Sequence, residues 1–164
     1  MKKIIYLILS IFLLISVIGC TGYEPIFSSS KLSIKIVEHS IEGDKKLGGK
    51  IYSQLNRYFN SPNNNSDTKK VIILIDTKKD ITPTVKNSAG KIIEYRVQIK
   101  TKLFMEDFKS NKELINYTIN LSSSYKVQDQ YFETKKIEAK TIDELLNKIY
   151  QDLLIKISET VLSS

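Results

Sequence analysis

Ile93-Glu94-Tyr95-Arg96-Val97-Gln98-Ile99-Lys100-Thr101-Lys102-Leu103-Phe104-Met105 alternates without a break across residues 93–105. Ile93, Tyr95, Val97, Ile99, Thr101, Leu103 and Met105 fall on one side, with Glu94, Arg96, Gln98, Lys100 and Lys102 on the other. Successive side chains of a strand point to opposite faces, so a period of two predicts a long strand with one face on a core and the other facing polar surroundings.

A turn at residues 106–111 leads into a second such segment, with Ile115, Tyr117, Ile119, Leu121, Tyr125 and Val127 on the apolar face. The opposite face reads Asn116, Thr118, Asn120, Ser122 and Ser124, polar yet uncharged. Upstream, Ser88-Ala89-Gly90 makes a turn, and residues 77–90, with Thr82-Pro83-Thr84, read as a polar loop. Before that loop, the unbroken apolar run of residues 71–75 predicts a strand covered on both faces, inside the sheet. Leu32, Ile34 and Ile36 alternate with Ser33, Lys35 and Val37 as a first short strand, left at Gly43-Asp44.

Two segments carry helical spacing. From Lys45, Leu47, Ile51, Leu55, Tyr58 and Phe59 form one stripe, opposed by Lys50, Gln54 and Arg57, while Gly48 and Gly49 weaken the first turns. Ser61-Pro62-Asn63-Asn64-Asn65-Ser66 ends this helix. Thr141-Ile142-Asp143-Glu144 reads as a capping box opening a last helix, with Ile142, Leu145, Leu146, Ile149, Leu153, Ile157 and Val161 as its stripe. That helix would be about 30 Å long, and Lys135, Lys136 and Lys140 fall in a loop ahead of it. The order is β-α-β-β-β-α. A β-α-β start gives a parallel pair and the hairpins extend the sheet antiparallel. Each helix has a single stripe, so both cover the same sheet face. The predicted fold is an α+β two-layer sandwich: a four-stranded mixed sheet with two helices on one face and none on the other.

Length and composition fit one domain, with 164 residues and 41% hydrophobic content. Lys plus Arg number 25 against 18 Asp plus Glu, a formal charge of +7. Only Arg57 and Arg96 are arginines, and the lysine excess comes with Ile and Asn richness, a compositional bias rather than a nucleic-acid signal. One cysteine, Cys20, one histidine, His39, and no tryptophan exclude disulfide frameworks, Cys/His zinc sites and most histidine catalysis. His39 reads as a surface loop residue after the first strand. Ser122-Ser123-Ser124 lacks a base or a nucleophile elbow, and Asp76, Asp80, Asp107 and Asp129 have no metal-loop spacing. The expectation is a protein that is no enzyme and holds no metal or cofactor.

Lys2 and Lys3 precede an apolar run at residues 4–18, broken only by Ser10 and Ser16. The run is shorter than the roughly 20 residues a spanning helix needs and fits a signal peptide. It ends in Val17-Ile18-Gly19-Cys20, a small residue directly before a cysteine, the pattern at which bacterial lipoproteins are lipidated and cut. The division expected is a signal peptide at 1–19, lipidated Cys20 with a tether at 20–30, and a single domain at 31–164. The alternative is an uncleaved membrane anchor with an incidental cysteine. Lipidation consumes the thiol, makes a covalent lipid on Cys20 the one non-protein group expected, and holds the chain to a membrane through its acyl chains. An exported chain also argues against a nucleic-acid partner.

Cys20 with Gly22-Tyr23-Glu24-Pro25 behind it, this order of elements, and Gly90-Lys91-Ile92-Ile93-Glu94-Tyr95 opening the third strand are together similar to the LptE family. These outer-membrane lipoproteins assemble lipopolysaccharide with the barrel protein LptD. The resemblance runs from Cys20 to the last helix. Thr21 stands between Cys20 and Gly22, where the family has the glycine directly, and the third strand is unusually lysine-rich.

The resemblance implies an outer-membrane lipoprotein on the periplasmic side of a Gram-negative bacterium. Its partners would be an LptD-like barrel, which it plugs, and lipopolysaccharide. Asn116, Thr118, Asn120 and Ser122 would face the barrel, where uncharged polar groups cost less to bury than charges. Lys86, Arg96, Lys100, Lys102, Lys135 and Lys136 would contact lipopolysaccharide phosphates, with Lys86 and Lys136 nearest the family's basic loops. Without the resemblance, the same residues read as a solvated strand face and solubilising lysines. A free-standing periplasmic binding or adaptor lipoprotein, or one retained at the inner membrane, also fits the residues.

Overall fold

The computed structural model describes residues 34–59 and 68–162. The signal segment 1–19, Cys20, the tether at 20–30 and the Ser61-Pro62 loop lie outside the described residues. The alternating segment at residues 93–105 forms β3 (Ile92–Asp107), whose Val97, Ile99, Thr101, Leu103 and Met105 are buried while Arg96, Lys100 and Lys102 are exposed. Around it the chain runs β1 (Ile34–Gly43), α1 (Lys45–Phe59), β2 (Lys69–Lys86), β3, β4 (Glu113–Lys126) and α2 (Tyr131–Leu162). The sheet order is β1-β2-β3-β4, with β1 and β2 parallel and the other pairs antiparallel. This is the expected α+β two-layer sandwich, with one core formed between the two helices and one face of the sheet.

Local chemistry sets the first crossover. Gly43 has φ of 70°, a left-handed conformation, and a Cβ there would run into the Thr77 carbonyl. Asp44 follows, accepting the Leu47 N–H at 3.1 Å as the N-cap of α1 and donating its own N–H to Thr77 O at 2.6 Å. The helix then lies against the sheet at Gly48, where a Cβ would be 2.6 Å from Ile41 Cγ2. Gly48 therefore weakens the helix locally and lets it approach β1 closely. Gly49 faces open space.

The structure corrects several sequence-based boundaries. β1 runs to Gly43, the exit expected at Gly43-Asp44, but its alternation is broken by a register shift between Ile36 and Glu38. The bulge returns His39 and Ile41 to the helix side, opposite Ile73 and Ile75. His39 is thus a strand residue, stacked on Tyr52 of α1 at 3.8 Å between ring centroids and 11° between planes. β2 does not stop at Ile75. It continues through the expected polar loop to Lys86, pairing with β3 from Val71 opposite Asp107 to Lys86 opposite Ile92. Its second half lacks apolar alternation because most of it extends past the core, held by ladder hydrogen bonds.

Pro83 is accommodated next to a register shift. The hairpin closes at Asn87, whose side chain accepts the N–H groups of Ala89 and Lys91, and at Gly90 with φ of 78°. The stretch at 71–75 is also not covered twice: Ile72 and Leu74 are only half-buried on the helix-free face.

α2 starts at Tyr131, well before Thr141, and its 32 residues make it about 48 Å long. Thr141 is buried inside the helix and donates to Ile137 O at 2.9 Å, so it caps nothing. Near the true start, Thr134 Oγ1 accepts the Gln128 N–H at 2.9 Å. Lys135 and Lys136 accordingly lie on the first turns of a helix and not in a loop.

At mid-sheet, Thr77 and Thr101 are fully buried with hydroxyls 3.3 Å apart, which satisfies two polar groups within the core. The two helical glycines separate packing from propensity. Gly48→Ala is expected to lower stability by about 1–3 kcal/mol because Ile41 must move. Gly49→Ala should raise it by about 0.5–1 kcal/mol. Thermal unfolding followed by circular dichroism reads both signs.

Candidate functional site

The sequence-named polar residues separate onto two surfaces. The first is the helix-free face, where β3 and β4 set Lys102 opposite Thr118, Lys100 opposite Asn120, Gln98 opposite Ser122 and Phe104 opposite Asn116. The basic and uncharged candidates on these strands therefore form one surface. The Gln98 amide donates to Asn120 Oδ1 at 3.0 Å across the strands. Going towards β1, Asp76 lies opposite Lys102, Lys78 opposite Lys100 and Thr82 opposite Arg96. Charge is mixed on β1 and β2, where Glu38, Glu42, Asp76 and Asp80 share the face with Lys78, while Arg96, Lys100 and Lys102 stand on β3 and β4 has no charge from Asn116 to Ser124.

Lys78 and Lys100 repel as a directly opposed pair, a placement that costs stability unless an anion sits nearby. Among the described residues no ion pair engages Lys78, Arg96, Lys100 or Lys102. Half-buried Ile72, Leu74 and Phe104 make an apolar strip beside this basic centre. Nothing but their register joins these three, which is why the sequence did not reveal the strip.

The second surface is the hairpin end. Lys86 and Lys91 flank the β2–β3 turn, and Lys135 and Lys136 stand on the first turns of α2. A cavity of 430 Å³ opens there, lined by Lys91, Tyr95, Tyr125, Tyr131, Lys135 and Glu138 among others. Tyr131 of its lining and the next residue, Phe132, are 76% and 74% exposed, far more than apolar rings of a core helix. With Lys135 over the Tyr131 ring at 5.8 Å, this end pairs aromatic surface with cations. Tyr131 and Phe132 escaped sequence reading because they precede the apolar stripe of α2. A second cavity, of 660 Å³, lies between the helices, but Lys50–Asp143 at 2.8 Å and Gln54–Asn147 at 3.3 Å already bridge it.

Two tyrosines fix α2 over β4. Tyr117 donates to Asp152 at 2.7 Å and Tyr125 to Glu138 at 2.9 Å. Both tyrosine pKa values are raised: at Tyr117 chiefly by its hydrogen bond to Asp152, at Tyr125 first by burial and then by Glu138. Burial alone would raise the Glu138 pKa. The hydrogen bonds from Lys135, at 2.8 Å, and Tyr125, with the charges of Lys135 and Lys79, outweigh burial and hold it below its ordinary value. Lys135 is therefore engaged in the fold, whereas Lys86 and Lys136 are exposed.

No family model matches the chain. Its fold does match solved structures of bacterial lipoproteins. Rare lipoprotein B from Shewanella oneidensis aligns with a TM-score of 0.57 at 11% identity, over 77% of this chain and 97% of that one. Lipoprotein B from Nitrosomonas europaea aligns with a TM-score of 0.55 at 15% identity, over 79% and 87%. A lipoprotein from Caulobacter crescentus, described as putative, gives 0.52 at 10% identity, over 80% and 91%. At these identities the likeness establishes a shared fold.

The lowered Glu138 pKa makes a signed prediction. Its contribution to stability is complete above the unfolded carboxyl value of 4.5 and is lost as pH falls through the lower folded value. Melting temperatures measured from pH 6 to pH 3 should fall more steeply below about pH 4.5 for the parent than for Glu138→Gln, the variant being the less stable at pH 6.

Proposed function

We propose that the chain is an LptE-like outer-membrane lipoprotein, anchored through lipid on Cys20, that plugs an LptD-like barrel and contacts lipopolysaccharide. The observation carrying this reading is the sheet face that no helix covers: a basic centre with an apolar strip beside it and an uncharged margin at Asn116, Thr118, Asn120 and Ser122. An uncharged margin suits contact with a barrel wall, because polar side chains can exchange water for wall hydrogen bonds while buried charges cannot be desolvated cheaply. The shared fold with rare lipoprotein B supports the reading. The role is one of support and positioning and includes no bond chemistry.

Lipopolysaccharide carries phosphates on a lipid body. The hairpin end offers both complements, with exposed ammonium groups at Lys86, Lys91 and Lys136 and the exposed rings of Tyr131 and Phe132. Arg96, Lys100 and Lys102 present a second basic group on the open face. Lys135 supports Glu138 and belongs to the wall of the site.

Affinity-tagged full-length chain extracted from membranes in mild detergent should bring down a large β-barrel in equal amount. Asn116→Lys with Thr118→Lys should reduce that recovery with unchanged melting temperature. Recovery of the chain alone would point to a free-standing lipoprotein. For the ligand, Lys86→Ala with Lys136→Ala is expected to weaken lipopolysaccharide binding about three- to tenfold at moderate salt. Phe132→Ser should weaken it at high salt as well, since an apolar contact is not screened.

A further inference from the structure

The 430 Å³ cavity at the hairpin end falls within the size range of small-ligand pockets, about 300–1,000 Å³, and its wall is braced from within. Tyr125 stacks on Tyr95 with ring centroids 5.8 Å apart and donates to Glu138 Oε2 at 2.9 Å. Lys135 donates to the same oxygen at 2.8 Å, while its ammonium lies 5.8 Å from the centre of the Tyr131 ring. One chain of contacts thus runs from β3 through β4 to the first turns of α2 and holds three tyrosines around one space. Both bonds to Glu138 end on Oε2, and among the described residues no hydrogen bond reaches Oε1. The Glu138 side chain is only 16% exposed, so the cavity wall holds an acceptor with spare capacity and little access to bulk water.

The lining selects a ligand class by exclusion. Its four charged side chains balance, Lys91 and Lys135 against Asp129 and Glu138, so the cavity favours neither an anion nor a cation. An acyl chain would take the two carboxylates out of water and put nothing in its place. What fits is a neutral molecule with apolar faces for Tyr95 and Tyr131 and hydroxyl edges for Glu138, Gln128 and Lys91. A sugar ring has both. Its C–H groups form the faces, and its hydroxyls donate to a carboxylate and accept from an ammonium. We propose that this cavity is a saccharide site, with the Tyr131 ring as the platform for a sugar face and Glu138 Oε1 as a hydroxyl acceptor. Naming lipopolysaccharide as the source of the sugar rests on the reading above, whereas the class of ligand does not. In that reading the exposed lysines take the phosphates and the cavity takes the sugar that carries them.

Full-length chain in a zwitterionic detergent without a sugar headgroup, titrated with two probes, tests the site. One probe is the oligosaccharide of lipopolysaccharide, stripped of lipid and phosphate. The other is the trisaccharide of N-acetylglucosamine, a glycan of the cell-wall type. Calorimetry should give a Kd below about 10 mM for at least one of them, unchanged at high salt because the ligand is neutral. Saturating the aromatic protons in NMR should transfer to the C–H groups of the bound sugar. Tyr131→Ser should raise that Kd about five- to tenfold and Tyr131→Phe less than about twofold, since the ring and not its hydroxyl is the platform. Tyr131 is exposed, so both variants should melt with the parent. Absence of binding by either probe overturns the proposal, as does binding that Tyr131→Ser leaves unchanged. Binding of intact lipopolysaccharide with neither probe bound overturns it too, while the lipopolysaccharide reading stands. Binding of the N-acetylglucosamine probe alone supports the site and moves the source of its sugar to the cell wall. Failure to recover a barrel changes neither titration, so the two readings fail separately.

Discussion

β2 and β3 pair along nearly their whole lengths, and the other elements take their places from that ladder. On one side of it Val71, Ile73, Ile75, Val97, Ile99, Leu103 and Met105 are buried, so both amphipathic helices must dock there. The Thr77–Thr101 hydroxyl pair lies where the ladder crosses mid-core. Thr77 also receives the Asp44 N–H at the crossover into α1. One residue thus joins the ladder, the helix cap and the core, and the tight turn at Gly43 follows from the position of its carbonyl.

Fold class was legible wherever burial writes a period into the chain. β3 and β4 alternate because one face is covered, and α1 shows its stripe because it packs along its whole length. Legibility ended where hydrogen bonds, and not burial, hold an element. The second half of β2 is polar because it lies past the core, and a polar strand has the composition of a loop. The first turns of α2 are likewise thinly covered. Ile137 is only half-buried there, so in sequence the apolar stripe starts at Ile142 and Thr141 passes for a cap. The bulge in β1 could be placed only once Ile41 was seen opposite Ile75.

The site was legible as residue types and not as an arrangement. Lys100, Lys102, Asn116, Thr118 and Asn120 were all identified from the strand period, yet their union on one face depends on the β3–β4 register. Lys135 and Lys136 are sequence neighbours with unequal roles, since the first is tied to Glu138 and the second is exposed. The carboxylate of Glu138 is what divides them, and its partner Tyr125 comes from a different strand.

A sheet covered on one side leaves its other side and both edges to be accounted for. Solvation suffices for Glu38, Glu42 and Asp80, which are charged and exposed. It explains less well the opposed lysines 78 and 100, which would be more stable with one of them replaced by a neutral residue, and the half-buried strip of Ile72, Leu74 and Phe104. These features lie side by side on the face that lacks a helix, and each is relieved by contact: the lysines by an anion, the apolar strip by an apolar surface. The uncharged edge at β4 adds a third such feature on the same side of the molecule. Their coincidence on one sheet is more economically explained by a surface that is covered when the protein works than by three separate departures from stability.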